Sequence, residues 1–151
     1  MQACNMKNEI VYDIDKYIFG GNAEFTILQE NPRTNEIISV KYRVQRCKDS
    51  PNLYFVSTEK VGSKELMFHG SIRVSQNNSM TYYKGKKVNN LLYSERNIQG
   101  LVWVLASIKQ GLPPYVHVLH NGRCSRCGRK LRDRESVIRG IGPECRKKVG
   151  V

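Results

Sequence analysis

The chain has 151 residues, of which 40% are hydrophobic and 25% are charged, and this composition excludes a largely disordered or fibrous protein. Its formal net charge of +12 indicates a polyanionic partner, and nucleic acid is the expected one. The alternative explanation of the charge is general solubility or attraction to any anionic surface. No run of about 18 apolar residues is present, and the N-terminus lacks a secretory pattern, so we expect no membrane association and a cytoplasmic location.

The segment from Ala23 to Lys86 alternates apolar and polar residues, which is typical of half-buried strands. Gly70 is expected to mark a bend or bulge, and His69 is expected at the surface. Whether the tyrosines of these strands stack on bases or pack in the core stays open. Five antiparallel strands are predicted, over AEFTILQE, IISVKYRVQ, YFVSTEK, LMFHGSIRV and MTYYKGK.

One helix is predicted to cover this sheet, from an N-cap at Ser94 to Gln110, and Gly111 ends it. PYVHVLH is predicted as a last strand that leads into a small C-terminal finger. The fold class is therefore α+β, with a sheet domain over residues 1–112 and a zinc-finger-like basic domain over residues 113–151. The apolar stripe of the helix contains Ile98, Leu101, Val102, Leu105 and Ile108, and Trp103 and Val104 are expected to widen it.

Cys124, Cys127 and Cys145 have the spacing of a zinc site, since a C-x-x-C-G turn is followed by a cysteine at a helix start. His120, which ends the last strand, is the expected fourth ligand. The alternatives are His117, an outside ligand or none. A closed shell of this kind would give the Zn²⁺ a structural role. The cysteines at positions 4 and 47 are expected to be free thiols.

The segment RESVIRGIGPEC resembles a helix-hairpin-helix motif, in which a turn between two short helices offers backbone amides to a phosphate. Pro143 is a favoured first residue for the second helix. The alternative is that this turn only directs Cys145 to the metal. The segment from Pro113 to Val151 holds +7 of the net charge. The predicted nucleic-acid contacts are Arg126, Arg129, Arg139, Gly140, Gly142, Arg146 and Lys147, within a basic surface that also includes Arg123, Lys130, Arg132 and Arg134.

The run C-x-x-C-G-R-x-L, followed by S and G-I-G-P-E-C, resembles a small cysteine-rich domain of unknown function found in phage and bacterial proteins. It departs from the usual form after Leu131, where Arg132, Asp133 and Arg134 replace a Thr or Asp with Pro. The segment FGGNAEFTI and the YRV strand are similar to a companion region of uncharacterised phage proteins. The resemblance implies a phage setting, hence a host cytoplasm, and supports His120 as the matching histidine. It brings no activity with it.

These observations favour a zinc-stabilised protein that binds DNA or RNA mainly through the phosphate backbone. The alternative is a non-enzymatic inhibitor or adaptor that acts on host machinery or host defence, with the basic surface docked on an acidic host protein. No Ser-His-Asp order, nucleotide-binding loop or His-Glu zinc motif is present, so an enzyme is not expected and no catalytic residue is assigned. The sequence does not indicate an oligomeric state.

Overall fold

The computed structural model describes residues 10–60, 62–86 and 95–149, so Cys4 and the predicted N-cap Ser94 lie outside the described residues. The described residues form ten α-helices and β-strands. The strands are β1 (Asn22–Glu30), β2 (Ile37–Cys47), β3 (Ser50–Glu59), β4 (Leu66–Val74), β5 (Met80–Lys84) and β6 (Val116–His120). The helices are α1 (Ile14–Ile18), α2 (Glu95–Ser107), α3 (Arg134–Arg139) and α4 (Pro143–Val149), and a 3₁₀ turn at Ile108–Gln110 follows α2.

The six strands form one sheet in the order β5-β4-β3-β2-β1-β6, and every neighbouring pair is antiparallel. The predicted α+β class is therefore confirmed, with β6 as the sixth strand. Val116 and Val118 of β6 lie in the main core, at 4% and 1% exposure. The predicted domain boundary between residues 112 and 113 thus separates β6 from the sheet to which it belongs.

One face of the sheet packs against α2. Tyr42 of β2 is buried in this layer, and its hydroxyl donates a hydrogen bond to the carbonyl of Asn97 at 2.5 Å. The outer surface of α2 is less buried than the sequence predicts, since Val102 and Trp103 are 41% and 45% exposed. The expectation that Trp103 widens the packed stripe is wrong. The buried residues of α2 are Ile98, Leu101, Val104 and Leu105.

An irregularity in the pairing of β3 with β4 changes the position of His69. The register shifts between Val56 and Ser57, which pair with Gly70 and Phe68 and leave His69 as the extra residue. His69 is 3% exposed, and its Nδ1 contacts the Tyr82 hydroxyl. The expected surface position of His69 is therefore wrong, because the bulge turns its ring inward. The bulge expected near Gly70 is confirmed.

None of the helices in the described residues has the length and apolar content that a membrane crossing requires.

Candidate metal centre and basic surface

The finger begins with a tight turn directly after β6. Arg123 and Lys130 form an antiparallel bridge, and the N–H of Cys124 donates to the Arg129 carbonyl at 2.8 Å. The chain then reverses within Cys124 to Gly128, whose N–H donates to the Cys124 carbonyl at 2.9 Å. Gly128 has φ of +79°, a left-handed conformation that glycine adopts without steric cost. This local geometry brings the sulfur atoms of Cys124 and Cys127 to the same side of the turn.

The third cysteine comes from α4. Cys145 lies in the first turn of that helix, and the Sγ atoms of Cys124, Cys127 and Cys145 are all within 4.8 Å of one another. Cys124 and Cys145 are buried, whereas Cys127 is exposed. Cys47 is a half-buried free thiol on β2, outside this group. The predicted convergence of the three cysteines is confirmed, and together they could hold a metal ion.

Backbone N–H groups point at the buried sulfur of Cys124. Burial by itself would raise the pKa of this thiol, but donors at Gly142, Cys127 and Arg126 outweigh burial and lower the pKa. The Arg126 N–H lies 3.4 Å from the sulfur. Cys145 has the opposite shift: burial, followed by the neighbouring thiols, raises its pKa. The converging amides therefore favour the thiolate form at Cys124 over that at Cys145.

His120 is not part of this group. The N–H of Gly122 donates to its Nδ1 at 2.9 Å, so this nitrogen accepts and Nε2 donates to the Val137 carbonyl at 2.6 Å. The ring is 3% exposed and lies beside that of Tyr17. Both ring nitrogens are thus used within the protein, and His120 links the end of β6 to α3. In this arrangement neither nitrogen has a lone pair for a metal. His117, the alternative, is likewise absent from the group.

A groove of about 660 Å³ opens beside the cysteines, and all three of them line it. Two carboxylates, Asp133 and Glu144, and several cations line the same groove. A tetrahedral ion on three thiolates has one further position. The groove places open space and these two carboxylates beside the three cysteines, and water in that space or one of the carboxylates could supply a fourth ligand.

A polar network joins the two short helices of the finger. Asp133 caps α3, accepting a hydrogen bond from the N–H of Ser136 at 3.1 Å. The Ser136 side chain is fully buried, and Arg146 of α4 donates to its hydroxyl at 2.9 Å and to the Ile141 carbonyl at 3.2 Å. Arg146, predicted as a phosphate contact, is therefore half-buried and holds α4 against α3. The sequence motif contains this serine but does not reveal its partner.

The turn between α3 and α4 uses its amides internally. The Gly140 N–H donates to the Ser136 carbonyl at 2.8 Å, and the Gly142 N–H points to the Cys124 sulfur. These two amides, which were predicted to contact a phosphate, thus donate to groups within the protein. The alternative that the turn directs Cys145 to the metal agrees better with this geometry. Gly140 has φ of +71°, and a Cβ there would lie 2.6 Å from the Tyr17 ring.

The remaining predicted contacts lie at the surface. Arg129, Arg139 and Lys147 are exposed, and Arg126 is half-buried. Arg139 also forms an exposed ion pair with Glu135 at 3.2 Å. The other cations of the predicted basic surface are likewise exposed: Arg123, Lys130, Arg132 and Arg134.

A second cleft, of about 630 Å³, lies between α1 and the finger. Arg126 and Arg139 line it from the finger, and Lys16 and Arg46 line it from the rest of the molecule. The one carboxylate in its lining, Asp13, is 3.6 Å from the Lys16 ammonium. Excess positive charge therefore extends from the finger to α1 and β2, a continuity that the sequence alone did not indicate.

The sequence patterns also did not predict the contacts of the finger with the α1 and β1 region. The Asn22 N–H donates to the Ser125 carbonyl at 2.6 Å, and the Ser125 N–H donates to the Gly140 carbonyl at 3.0 Å. Ser125 is 2% exposed, and a Cβ at Gly20 would collide with its hydroxyl. The pair Gly20-Gly21 is the available sequence signal, since adjacent glycines often mark close backbone approach.

Fold and site together define a small α+β protein with a three-cysteine candidate metal centre on a C-terminal finger. Residues 117–150 match the model of DUF6011, a family of unknown function. The match runs from β6 to the end of α4 and leaves the rest of the chain uncovered. Comparisons with curated proteins and with solved structures give no match.

Proposed function

We propose that this protein is a non-enzymatic, zinc-stabilised nucleic-acid-binding protein whose finger contacts the phosphate backbone. The observation that carries the proposal is the set of exposed cations beside the three cysteines, of which Arg129, Arg139 and Lys147 are accessible. Contacts between such side chains and phosphates give affinity without reading bases. The phage setting implied by the sequence resemblance belongs to this proposal.

Zinc is the proposed metal because three sulfur ligands form a soft donor set. Sulfur atoms bound tetrahedrally at 2.3 Å are about 3.8 Å apart, so the present separations of up to 4.8 Å need only a small contraction. Residues Cys124, Cys127 and Cys145 would hold the ion. The fourth ligand is proposed on the groove side rather than at His120, whose two nitrogens are already bonded.

The test is salt-dependent binding to single-stranded DNA, duplex DNA and RNA. Arg129→Ala and Lys147→Ala should each reduce the slope of log affinity against log salt by about 0.7 to 0.9 for every probe. Arg33→Ala is the matched control, since it removes an exposed cation from the turn after β1, at the opposite end of that strand from the knuckle, the turn from Cys124 to Gly128. If the unchanged protein binds no probe at low salt, the nucleic-acid proposal fails.

The exposed side of α2 favours a second candidate, an adaptor or inhibitor that binds a host protein through an apolar contact. Trp103 and Val102 are both more than 40% exposed there, and tryptophan is a frequent anchor of protein interfaces. Trp103→Ala separates the two functions. It should abolish binding to a protein partner while leaving nucleic-acid affinity unchanged.

A further inference from the structure

The sheet has a second face, opposite α2, that carries solvent-exposed aromatic side chains. Phe55, Phe68 and Tyr83 are 39%, 49% and 52% exposed, and they come from β3, β4 and β5. Aromatic residues on the α2 side behave differently, since Tyr42 and Tyr54 are 1% and 6% exposed. The inner rings are therefore buried by packing within the protein, whereas much of the surface of the outer rings is exposed to water.

The strand register aligns part of this outer face into a single row. Tyr83 pairs with Ser71, Ser71 with Phe55, Phe55 with Gln45, and Gln45 with Asn22. Directly opposed residues in antiparallel strands share a face. Phe68 lies beside the row, with its ring centroid 6.1 Å from that of Phe55 in an edge-to-face arrangement. Adjacent strands are about 4.8 Å apart, so the row spans roughly 19 Å from β5 to β1.

The row ends at the knuckle of the candidate metal centre. The Gln45 amide donates to Asn22 at 3.5 Å, and the Asn22 Nδ2 lies 2.8 Å from the position that a Cβ on Gly128 would occupy. The Gly128 carbonyl accepts from the Arg123 guanidinium at 3.2 Å. The exposed rings thus lead, through two neutral amides, directly to the cations of the finger.

Charges beside the row are of both signs, but its two carboxylates are paired with cations. Arg43 is paired with Glu24 at 3.3 Å, and Glu59 is paired with Lys64 at 3.3 Å, so the two carboxylates near the row are neutralised. Arg73 is exposed on β4. Arg73 near the aromatic end and Arg123 at the other end thus place exposed cations at both ends of the row, where a polyanion could contact them.

We infer that this face is a stacking platform for single-stranded nucleic acid, on which bases stack against Phe55, Phe68 and Tyr83 while the backbone continues to the finger. The inference rests on the proposed function, because the finger supplies the phosphate contacts. Exposed rings bind any base through its π-face, so binding should tolerate sequence. A duplex, whose bases are already stacked on each other, should gain nothing from the rings.

The experiment compares fluorescence anisotropy of an oligothymidylate of about 16 nucleotides, an upper single-strand site size, with a duplex of equal length. Phe55→Ala and Tyr83→Ala should each weaken single-strand binding roughly 5- to 160-fold and leave duplex binding and the salt slope unchanged. Phe55→Leu should behave like alanine, and Phe55→Trp should retain affinity, because the ring rather than apolar bulk is required. Trp103→Ala is the matched control, since it removes a similarly exposed ring from α2.

Outcomes separate this inference from the function on which it rests. If Phe55→Ala and Tyr83→Ala bind the single strand as the unchanged protein does, while Arg129→Ala weakens every probe, the platform is wrong and the finger contact stands. Equal losses for single strand and duplex also overturn the platform, because they indicate a general structural defect. If the unchanged protein binds neither probe, both the platform and the proposed function are wrong.

Discussion

The main core draws buried apolar side chains from β1 to β4, β6, α1 and α2, whereas the finger buries Cys124, Leu131 and Cys145, with Val137 and Ile141 packed against them. A fully buried aliphatic or aromatic side chain contributes about 1.5 to 3 kcal/mol. We therefore expect the sheet to be stable through packing alone. We expect the finger to depend on its cysteines, its internal hydrogen bonds and its contacts with α1 and β1.

The comparison also concerns what each region leaves exposed. The sheet is covered on one face by α2 and has exposed rings on the other, while the finger has exposed cations at its surface. The residues that stabilise the sheet thus lie on its buried face and not on its exposed face. Substitutions on the exposed face should therefore change binding without changing the fold. In the finger, Arg146 shows that a cation can belong to the fold itself.

The largest expected effect is that of Cys145→Ser. Structural zinc contributes about 10 to 16 kcal/mol in small finger peptides, so loss of one thiolate should release the metal and unfold the finger. Hydrogen exchange should then lose protection at the Cys124 and Leu131 amides but retain it at Val44 and Val56. Metal analysis should fall from one ion per chain to near zero.

Cys47→Ser is the control for that experiment, because it removes a half-buried thiol outside the cluster. It should leave metal content and exchange unchanged. If Cys145→Ser keeps its full metal content, the prediction that the three cysteines hold the metal is wrong. Loss of exchange protection throughout the sheet would show that the finger and the sheet unfold as one unit.

His120→Ala should have the next largest effect. It leaves the half-buried Gly122 N–H and Val137 carbonyl without partners, at a cost of at most about 1 to 3 kcal/mol each. We expect a lower free energy of unfolding in urea but an unchanged metal content. His117→Ala, at a half-buried position on the same strand, should cost less. If His120→Ala instead loses the metal, His120 is the fourth ligand after all.

Much of this architecture was predictable from residue patterns, because strand alternation and cysteine spacing depend on local sequence. The segments IISVKYRVQ and LMFHGSIRV gave the correct strands, and Cys145 at a helix start gave the third sulfur. A period of two reports which side chains share a face, and a C-x-x-C-G turn has few backbone solutions.

The remainder depends on contacts between distant residues, which a single sequence does not encode locally. His120 has the position of a ligand, but Val137 and Gly122 arrive at its nitrogens only once α3 folds back. Trp103 continues an apolar run, but it lies on the side of α2 that faces away from the sheet and is exposed to water. Phe55 and Phe68 fit the strand pattern, and only the register and the position of α2 show that they face outward.

Gly140→Ala should destabilise the finger by about 2 kcal/mol or more, because alanine resists a left-handed φ and its Cβ would meet the Tyr17 ring. The melting temperature should fall by roughly 4 °C or more. Gly142→Ala is the matched control, two residues away in the same turn. Its φ is not in the left-handed region, and a Cβ there would lie 3.9 Å from Leu131. Equal losses for both glycines would contradict the contact between α1 and the turn.

The smallest expected effect concerns the cap of α3. Hydrogen bonds from the Ser136 hydroxyl and N–H lower the pKa of Asp133 below its ordinary value. A lowered carboxylate pKa stabilises the fold at neutral pH, and this contribution is lost as the pH falls through the lowered pKa, below about pH 4. Asparagine also caps helices but does not titrate. The melting temperature of the unchanged protein should therefore fall relative to that of Asp133→Asn as the solution is acidified. A difference between the two proteins that stays constant from neutral pH to about pH 2 would show that the Asp133 charge contributes nothing to the finger.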